Sequence, residues 1–422
     1  MFRSLSSKIF GGLFIGLLFG TLIQYALVDI QFFSGTVVEL ASGAGTMFVS
    51  LIKLLVVPLV FFSIVNGICG LKDMNTFGRL GGKTFGFYIA NTLIAISVAL
   101  VIAMVLQPGR GLDLTGMSSA EIAATELPNV IQLIVGIIPD NPIQAFAEGN
   151  MLQIIFMSLL TGGIIKSLGE AAAPAQRFFA QANAIMMKMI TVVMQLAPIG
   201  VFALMVTLGA TLEASSYLSV LGYIGLILSL LVLWIFVVYP SLVAWKTNVS
   251  AAEFRRKTRE QFLFSLSTAS SNATIPVTMR TLTEKLNVKP AVAGFGVPLG
   301  ATMNMGGVSI YITIAAVFVG NAFGAPIGYE QLPALAFFVF LLSVGAGGVP
   351  GGGMVMIGVL IHQMGLPIEA FALVAALDRI IDMFVTSANV VGDSAVVTIV
   401  DRSEDDAVAA PAKAPELATA NA

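Results

Sequence analysis

The chain has 422 residues, 57% of them hydrophobic and 10% charged, with a formal net charge of −2. Soluble domains carry about 25% charged residues, so this composition, with a mean hydropathy of +0.95, marks an integral membrane protein. The balance of charge argues against a nucleic-acid partner, and the single cysteine (Cys69) and single histidine (His362) exclude a disulfide framework and a Cys- or His-based zinc centre.

Apolar runs at 9–29, 36–69, 84–107, 151–168, 183–211 and 217–245 are long enough, or nearly so, to cross about 30 Å of hydrocarbon as helices. Residues 1–8 are few and weakly basic, so the first run reads as a span and not as part of a cleavable leader. Lys and Arg should collect in cytoplasmic loops. Arg3 and Lys8 place the N-terminal segment inside, and the 30–36 connection, without a basic residue, lies outside. Lys72, Arg79 and Lys83 mark the next loop as internal. The 108–128 segment holds Arg110 but also Asp113, Glu121 and Glu126, and reads as external. Lys166 and Arg177 return the chain to the inside, and 212–216 is external again. Lys246, Arg255, Arg256, Lys257 and Arg259 then mark a strongly cytoplasmic loop. Six spans account for the first 255 residues.

The alternation then fails. The piece 262–279 has basic residues on both sides, Arg255–Arg259 before and Arg280, Lys285 and Lys289 after. Its middle, Thr268-Ala269-Ser270-Ser271-Asn272-Ala273-Thr274, is costly to expose to lipid, so it should enter from the cytoplasm and turn back. A span at 290–320 follows, interrupted at Asn304-Met305-Gly306-Gly307. The 332–361 stretch is broken at Gly345-Ala346-Gly347-Gly348-Val349-Pro350-Gly351-Gly352-Gly353, lacks Lys and Arg at both flanks, and reads as a second hairpin entering from outside. A last span, 368–400, leads to a cytoplasmic tail rich in Ala, Asp and Glu, expected to be disordered over 403–422. The reading is an all-α polytopic membrane protein with eight transmembrane helices and two re-entrant hairpins. Hairpin plus interrupted span occurs twice with opposite orientation, the inverted-repeat signature of secondary transporters. Half-helix N-termini suit a carboxylate, and freed carbonyls suit sodium.

In the last span Asp378, Asp382, Thr386, Asn389 and Asp393 are spaced 4, 4, 3 and 4, so they share one helix face. Three carboxylates on one intramembrane stripe point to function. The competing reading is a structural polar network, and it is strongest for Asp378, which lies nearest the outer end beside Arg379. Tyr88, Asn91 and Thr92 on the third span are either functional or helix–helix glue. Lys53 and Lys188 read as snorkelling or paired residues, and the Met-rich patch at 185–194 as core or lipid contact.

These residues resemble the dicarboxylate/amino acid:cation symporters, the glutamate transporter family. The resemblance rests on Ser270-Ser271 with Thr274-Ile275-Pro276, and on Pro298-Leu299-Gly300-Ala301-Thr302 followed by Asn304-Met305. It rests also on Gly348-Val349-Pro350-Gly351, Asp382, Asn389-Val390-Val391-Gly392-Asp393-Ser394 and Pro198-Ile199-Gly200-Val201-Phe202-Ala203-Leu204, and runs from about 8 to 402. It implies a homotrimer in the cell membrane, both termini cytoplasmic, that couples cation influx to uptake of an amino acid. It further implies an elevator mechanism within one integral membrane domain, 1–402. The scaffold lies mainly in 9–69 and 129–211, and the transport part mainly in 78–107 and 217–402. Membrane lipid and a small-molecule substrate are the implied partners, sodium the coupling ion, with no other cofactor.

Residue by residue, the resemblance gives the substrate α-carboxylate to the Ser270-Ser271 tip, the Val349-Pro350-Gly351 tip and Asn389. Asp382 and Thr386 take the α-amino group. Asp393 with carbonyls of Gly300, Asn304 and Asn389 resembles one sodium site. Carbonyls near Thr302 and around Ser343, Val344 and Ala346 resemble a second, and Tyr88, Asn91, Thr92 and Asn304 a third.

Three departures matter. Where the family's broken helix reads Asn-Met-Asp-Gly-Thr, this chain has Gly306 for the Asp and Val308 for the Thr, so the third sodium site lacks its carboxylate. Val385 stands where members that carry acidic substrates have an arginine clamp. Arg379 is a possible stand-in one turn away, and Phe384 a limit on pocket size if it turns inward. The expectation is sodium-coupled uptake of a neutral α-amino acid. The alternative is sodium- or proton-coupled uptake of acidic amino acids or C4-dicarboxylates. A channel would need a continuous polar pore, which the paired hairpins oppose. An intramembrane aspartyl enzyme would need facing carboxylates, whereas Asp378 and Asp382 lie on one helix.

Overall fold

A computed structural model describes residues 5–70, 74–112, 135–211, 214–348, 351–366 and 368–409. The described residues form helices and no strand. The first half holds α1 (Leu5–Ala26), α2 (Val38–Gly70), α3 (Met74–Leu106), α4 (Pro142–Glu148), α5 (Met151–Ser167), α6 (Ala173–Gln195), α7 (Ala197–Thr211), α8 (Ala214–Leu233) and α9 (Tyr239–Lys246). The second holds α10 (Ala251–Thr268), α11 (Ser271–Arg280), α12 (Pro290–Met303), α13 (Gly306–Ala322), α14 (Leu332–Gly345), α15 (Gly352–Gln363) and α16 (Ile368–Ala409).

Among the described residues five stretches are long and apolar enough to cross a membrane: Phe32–Cys69, Gly81–Leu106, Tyr217–Lys246, Val292–Ala322 and Leu377–Ser403. Gly169–Gln195 with Ala197–Thr211 makes a sixth, bent by 52°. The sequence predicts one span over 183–211. The bend arises because Pro198 has no amide proton to continue the ladder, and Leu196 turns back to the Val193 carbonyl instead. The runs at 9–29 and 151–168 become the shorter apolar helices Gly11–Ala26 and Gln153–Ser167.

Two boundaries also move. The basic cluster at 255–259 lies in helix α10 and not in a loop. Ser250 caps that helix by accepting from the Glu253 amide (3.2 Å), and Glu253 pairs with Lys257 one turn on (2.7 Å). The last helix continues to Ala409, into the tail expected to be disordered from 403. Residues 410–422, and residues 113–128 of the expected external loop, lie outside the described residues.

Packing places the interrupted helix at the centre. Helix α13 is buried on every side, from Gly306 to Gly320, by α3, α8, α14, α15 and α16. The α10–α11 pair breaks at Ala269 and Ser270, where Ala269 takes a left-handed backbone (φ +49°), and it packs on α16. Helices α14 and α15 pack on α13. Elsewhere α2 packs on α5, α6 and α7, while α1 lies along α7.

The α1–α7 contact is made by backbone. Gly12, Gly16 and Gly20 recur every fourth residue and so share a face. A Cβ at Gly12 would fall 2.5 Å from the Pro198 carbonyl oxygen, and one at Gly16 2.5 Å from that of Phe202. From the other side, a Cβ at Gly209 would fall 2.7 Å from the Leu17 carbonyl oxygen. In lipid, where no hydrophobic force joins helices, such close approach is what holds them. Gly16→Val is therefore expected to destabilise the purified protein by about 1–3 kcal/mol, the range for overpacking. Gly43→Ala, whose Cβ would meet nothing within 4 Å, should have no effect. Thermal unfolding in detergent checks both; equal midpoints would show that the helices separate without cost.

Candidate functional site

Three breaks in the helices converge on one face of α16. Asp378, Asp382, Thr386, Asn389 and Asp393 are all buried there, as their spacing requires. Each break exposes backbone groups that need partners, and α16 supplies several.

At the α12–α13 break, Asn304 and Met305 leave the helical path. The Gly307 amide donates to Asn389 Oδ1 (2.8 Å), which caps α13. Asn304 Nδ2 donates to Asp393 Oδ1 (2.9 Å) and lies 3.5 Å from the Asn389 carbonyl. Gly300 closes this corner: a Cβ there would lie 2.6 Å from the Tyr88 hydroxyl and against the Asp393 carboxylate. The structure thus gathers Asp393, Gly300, Asn304 and Asn389, the set the resemblance assigns to one cation.

Tyr88, Asn91 and Thr92 on α3 face the same break. Tyr88 donates its hydroxyl to the Gly296 carbonyl (2.9 Å), and the buried Thr92 hydroxyl has no hydrogen-bond partner among the described residues. Asn91 Nδ2 donates to Asn304 Oδ1 (2.7 Å) and to the Tyr239 hydroxyl (3.2 Å). A Cβ at Gly306 would fall 2.8 Å from Asn91 Nδ2 and 3.3 Å from the Tyr239 hydroxyl. An amide and a phenol therefore fill the space that a carboxylate at 306 would enter. Tyr239 is absent from the sequence-based site, because on an apolar span a single tyrosine gives no signal of where its hydroxyl ends.

Thr302 and Val344 line one small cavity of about 50 Å³ with Met303, Gly345 and Gly347. Ser343 keeps its hydroxyl on the Phe340 carbonyl (2.8 Å), and its carbonyl accepts from the Ala346 amide (3.3 Å).

The two tips meet. The Gly348 carbonyl accepts from the Ser270 hydroxyl (2.9 Å) and the Asn272 amide (3.0 Å), so Ser270 links the breaks to each other. Ser271 is buried, and its hydroxyl has no hydrogen bond among the described residues. The same holds for Thr386. Gly351 takes a left-handed backbone (φ +77°), and its amide donates to Asp382 Oδ2 (3.0 Å). Val349 and Pro350 lie outside the described residues. Val308 and Val385 are both buried, Val385 at 1% exposure.

Arg379 is buried, with Nη1 3.9 Å from Asp382 Oδ2. Asp378 accepts from the Tyr311 hydroxyl (3.1 Å), a structural pairing that the sequence reading allowed for this residue. Among the described residues no three His, Cys, Asp or Glu side chains group as a metal site, so a cation here would rely on carbonyl and amide oxygens beside Asp393.

The chain matches the family model described as sodium:dicarboxylate symporter family over residues 5–403. The chain belongs to that family. It is 29% identical over 399 residues to a proton/sodium-glutamate symport protein of Geobacillus stearothermophilus, covering 93% of each chain. It is 31% identical over 411 residues to a proton/glutamate-aspartate symporter of Escherichia coli, covering 95% of this chain and 93% of the relative. It is 31% identical over 370 residues to C4-dicarboxylate transport protein 2 of Pseudomonas aeruginosa, covering 85% and 83%. The family consists of symporters, so this protein is a multi-pass membrane transporter and not an enzyme.

Asp393 is the one carboxylate at the corner formed by Gly300, Asn304 and Asn389, so it carries the cation test. Asp393→Asn is expected to raise the sodium concentration needed for half-maximal uptake by about tenfold or more, about 1.4 kcal/mol. Uptake into proteoliposomes across a sodium titration reads this directly. Unchanged sodium dependence would remove Asp393 from the cation site.

Proposed function

We propose that this protein is a sodium-driven symporter for a neutral α-amino acid, working by an elevator movement as a homotrimer in the cell membrane. The observation that carries the substrate class is Val385. It stands three residues after Asp382 and four before Asn389, on the face that holds the polar stripe, and it is buried. An acidic side chain brought there would set a carboxylate against an apolar wall, and a buried unpaired charge costs several kcal/mol. Val308, also buried, extends that wall. Asp382 then meets the α-amino group with Thr386. Ser271, Asn389 Nδ2 and the Gly351 tip meet the α-carboxylate.

A second reading has its own observation. Arg379 is buried beside Asp382, six residues before the valine, and the relatives named above are symporters of glutamate, aspartate or C4-dicarboxylates. On that reading Arg379 turns into the pocket and clamps a second carboxylate. Coupling to protons in place of sodium belongs to the same alternative, since proton coupling stands in relatives' names.

The proposed architecture has eight spans and two re-entrant hairpins, α10–α11 from the cytoplasm and α14–α15 from outside, with both termini cytoplasmic. The scaffold comprises mainly 9–69 and 129–211, and the moving part mainly 78–107 and 217–402. Contacts favour this division: α1 lies on α7 and α2 on α5 to α7, whereas α3 packs on α13, α14 and α16. For coupling, the amide of Asn91 in the space beside Gly306 argues for two sodium ions per cycle and not three.

Selectivity is tested in proteoliposomes under an inward sodium gradient. Alanine, serine, valine and leucine should compete, and aspartate, glutamate and succinate should be discriminated against by about 100-fold or more. Selectivity among the neutral substrates should be broad, since each buried CH₂ contributes only about 0.8 kcal/mol. Val385→Arg should admit acidic amino acids while the shared head group keeps its partners. Micromolar aspartate or succinate uptake by the wild type, abolished in Arg379→Gln, would replace this reading by the second. Proton-driven uptake without sodium would reject the cation assignment.

Topology is tested separately after Cys69 is replaced. Single cysteines at Arg259 and Lys285 should label only from the cytoplasm, and those at Gly328 and Gln363 only from outside. Opposite labelling within either pair would turn that hairpin into a true span.

A further inference from the structure

Helix α10 carries a second pattern that transport does not use. Arg255, Arg256, Arg259, Phe262 and Leu263 follow at spacings of 1, 3, 3 and 1, so they lie along one helix face. The charged residues come first, and the apolar ones follow about 5 Å beyond Arg259 and about 10 Å beyond Arg255 and Arg256 at 1.5 Å per residue. This face borders a groove of about 470 Å³ whose walls are Phe236, Phe262, Leu263 and Val391. Phe236 and Phe262 meet edge to face, with ring centroids 5.1 Å apart. Phe236 belongs to a π-turn, Trp234–Val238, and its carbonyl accepts from Arg255 Nη1 (3.0 Å), which ties the basic end to the groove wall.

The positive charge here is only partly compensated, since Glu253 also feels Arg256. The neighbouring acids are engaged elsewhere: Glu253 pairs with Lys257 (2.7 Å), and Glu260 pairs with Lys285 (2.6 Å) and Arg280. Among the described residues neither Arg256 nor Arg259 has an ion-pair partner, and both are exposed. A largely apolar groove lined also by Arg255 and the exposed Arg256 and Arg259, on the surface of a membrane protein, matches one kind of ligand in both its apolar and its charged parts. Guanidinium forks bind phosphate in bidentate fashion, and basic pockets at the membrane face bind anionic headgroups.

We propose that this groove binds an anionic phospholipid, with an acyl chain between Phe236 and Leu263 and its phosphate on Arg256 and Arg259. The assignment to the cytoplasmic leaflet rests on the topology proposed above; the binding itself does not. A water-soluble phosphate would satisfy only the arginines, and a neutral lipid only the groove.

The test uses the full chain, purified in detergent and stripped of lipid. Phosphatidylglycerol and phosphatidylcholine with the same acyl chains are titrated in, and bound lipid is counted by native mass spectrometry. Phosphatidylglycerol should be retained at a concentration about tenfold lower than phosphatidylcholine. The preference should vanish in Arg256→Gln/Arg259→Gln, and Leu263→Trp, which fills the groove, should reduce retention of both lipids. Thermal unfolding of each variant in detergent shows that it is folded, and the single Arg259→Gln serves if the double variant is not. Equal retention of the two lipids by the wild type overturns the proposal, as does an unchanged preference in the arginine variants. Full competition by inorganic phosphate at equal concentration would make this an anion site without a lipid and overturns it too. Outside labelling of a cysteine at Arg259 would fail the leaflet and the topology while leaving the retention result to stand.

Discussion

Inside hydrocarbon, a backbone that leaves the helical path has no water to turn to. Each amide or carbonyl left without a partner costs several kcal/mol, so breaks survive only where the protein itself completes them. Among the described residues three such breaks face α16, at Ala269–Ser270, at Asn304–Met305 and between α14 and α15, and their positions determine much of the rest. Helix α13 has to be surrounded because its N-terminus lies at the middle break. Helix α16 has to be polar along one face because its side chains finish the broken ends: Asn389 accepts from Gly307, and Asp382 from Gly351. The outer two breaks complete each other through the Gly348 carbonyl.

The stripe therefore has two duties at once. Asp382 commits one oxygen to the Gly351 amide, and on the proposed reading the other is the one that meets a substrate amine. Asn389 commits its oxygen to Gly307, while its amide nitrogen rests only on the Met305 thioether (3.3 Å), a weak acceptor that a carboxylate would displace. A structural network and a binding site are usually weighed as rival readings of buried polar residues. Here the same side chains hold the tips in place and keep a lone pair or a proton in reserve. Mutating Asp382 or Asn389 should thus disturb the helix breaks as well as any substrate contact they make.

The breaks and the stripe were legible in the sequence, because glycine clusters and polar residues at helical spacing are rare within apolar spans and expensive to place there. Helix ends were less so. Charge placed Arg255–Arg259 in a loop, yet the Ser250 cap and the Glu253–Lys257 pair carry that segment into α10. The 183–211 run reads as one span because hydropathy does not register a bend, which depends on the single missing amide of Pro198. Tyr239 and Tyr311 were missed for a related reason. A tyrosine on a buried helix packs as an apolar ring, and only the fold shows that its hydroxyl reaches Asn91 in one case and Asp378 in the other.

Charge in the core links the remaining features. Among the described residues four aspartates are buried along α16: Asp401 lies 3.8 Å from Arg402, and between Asp378 and Asp393 the buried cation is Arg379. With the 378–393 stretch ionised, three carboxylates against one guanidinium leave two negative charges in a medium where isolated charge is prohibitive. On the proposed reading the zwitterionic head of an amino acid brings no net charge: its ammonium would meet Asp382, and its carboxylate would be left to neutral donors on the tips and Asn389. Two monovalent cations then bring the core to neutrality, whereas an acidic side chain would add a negative charge and call for a third. On the same reading, the position proposed to hold a third cation is Gly306, with the Asn91 amide in the space of its missing side chain, and the position proposed to meet an acidic side chain is Val385. Each substitution taken alone would leave a charge without a partner. Together, on the proposed reading, they take one negative group from the protein and one from the substrate, so Gly306 and Val385 are consistent as a pair.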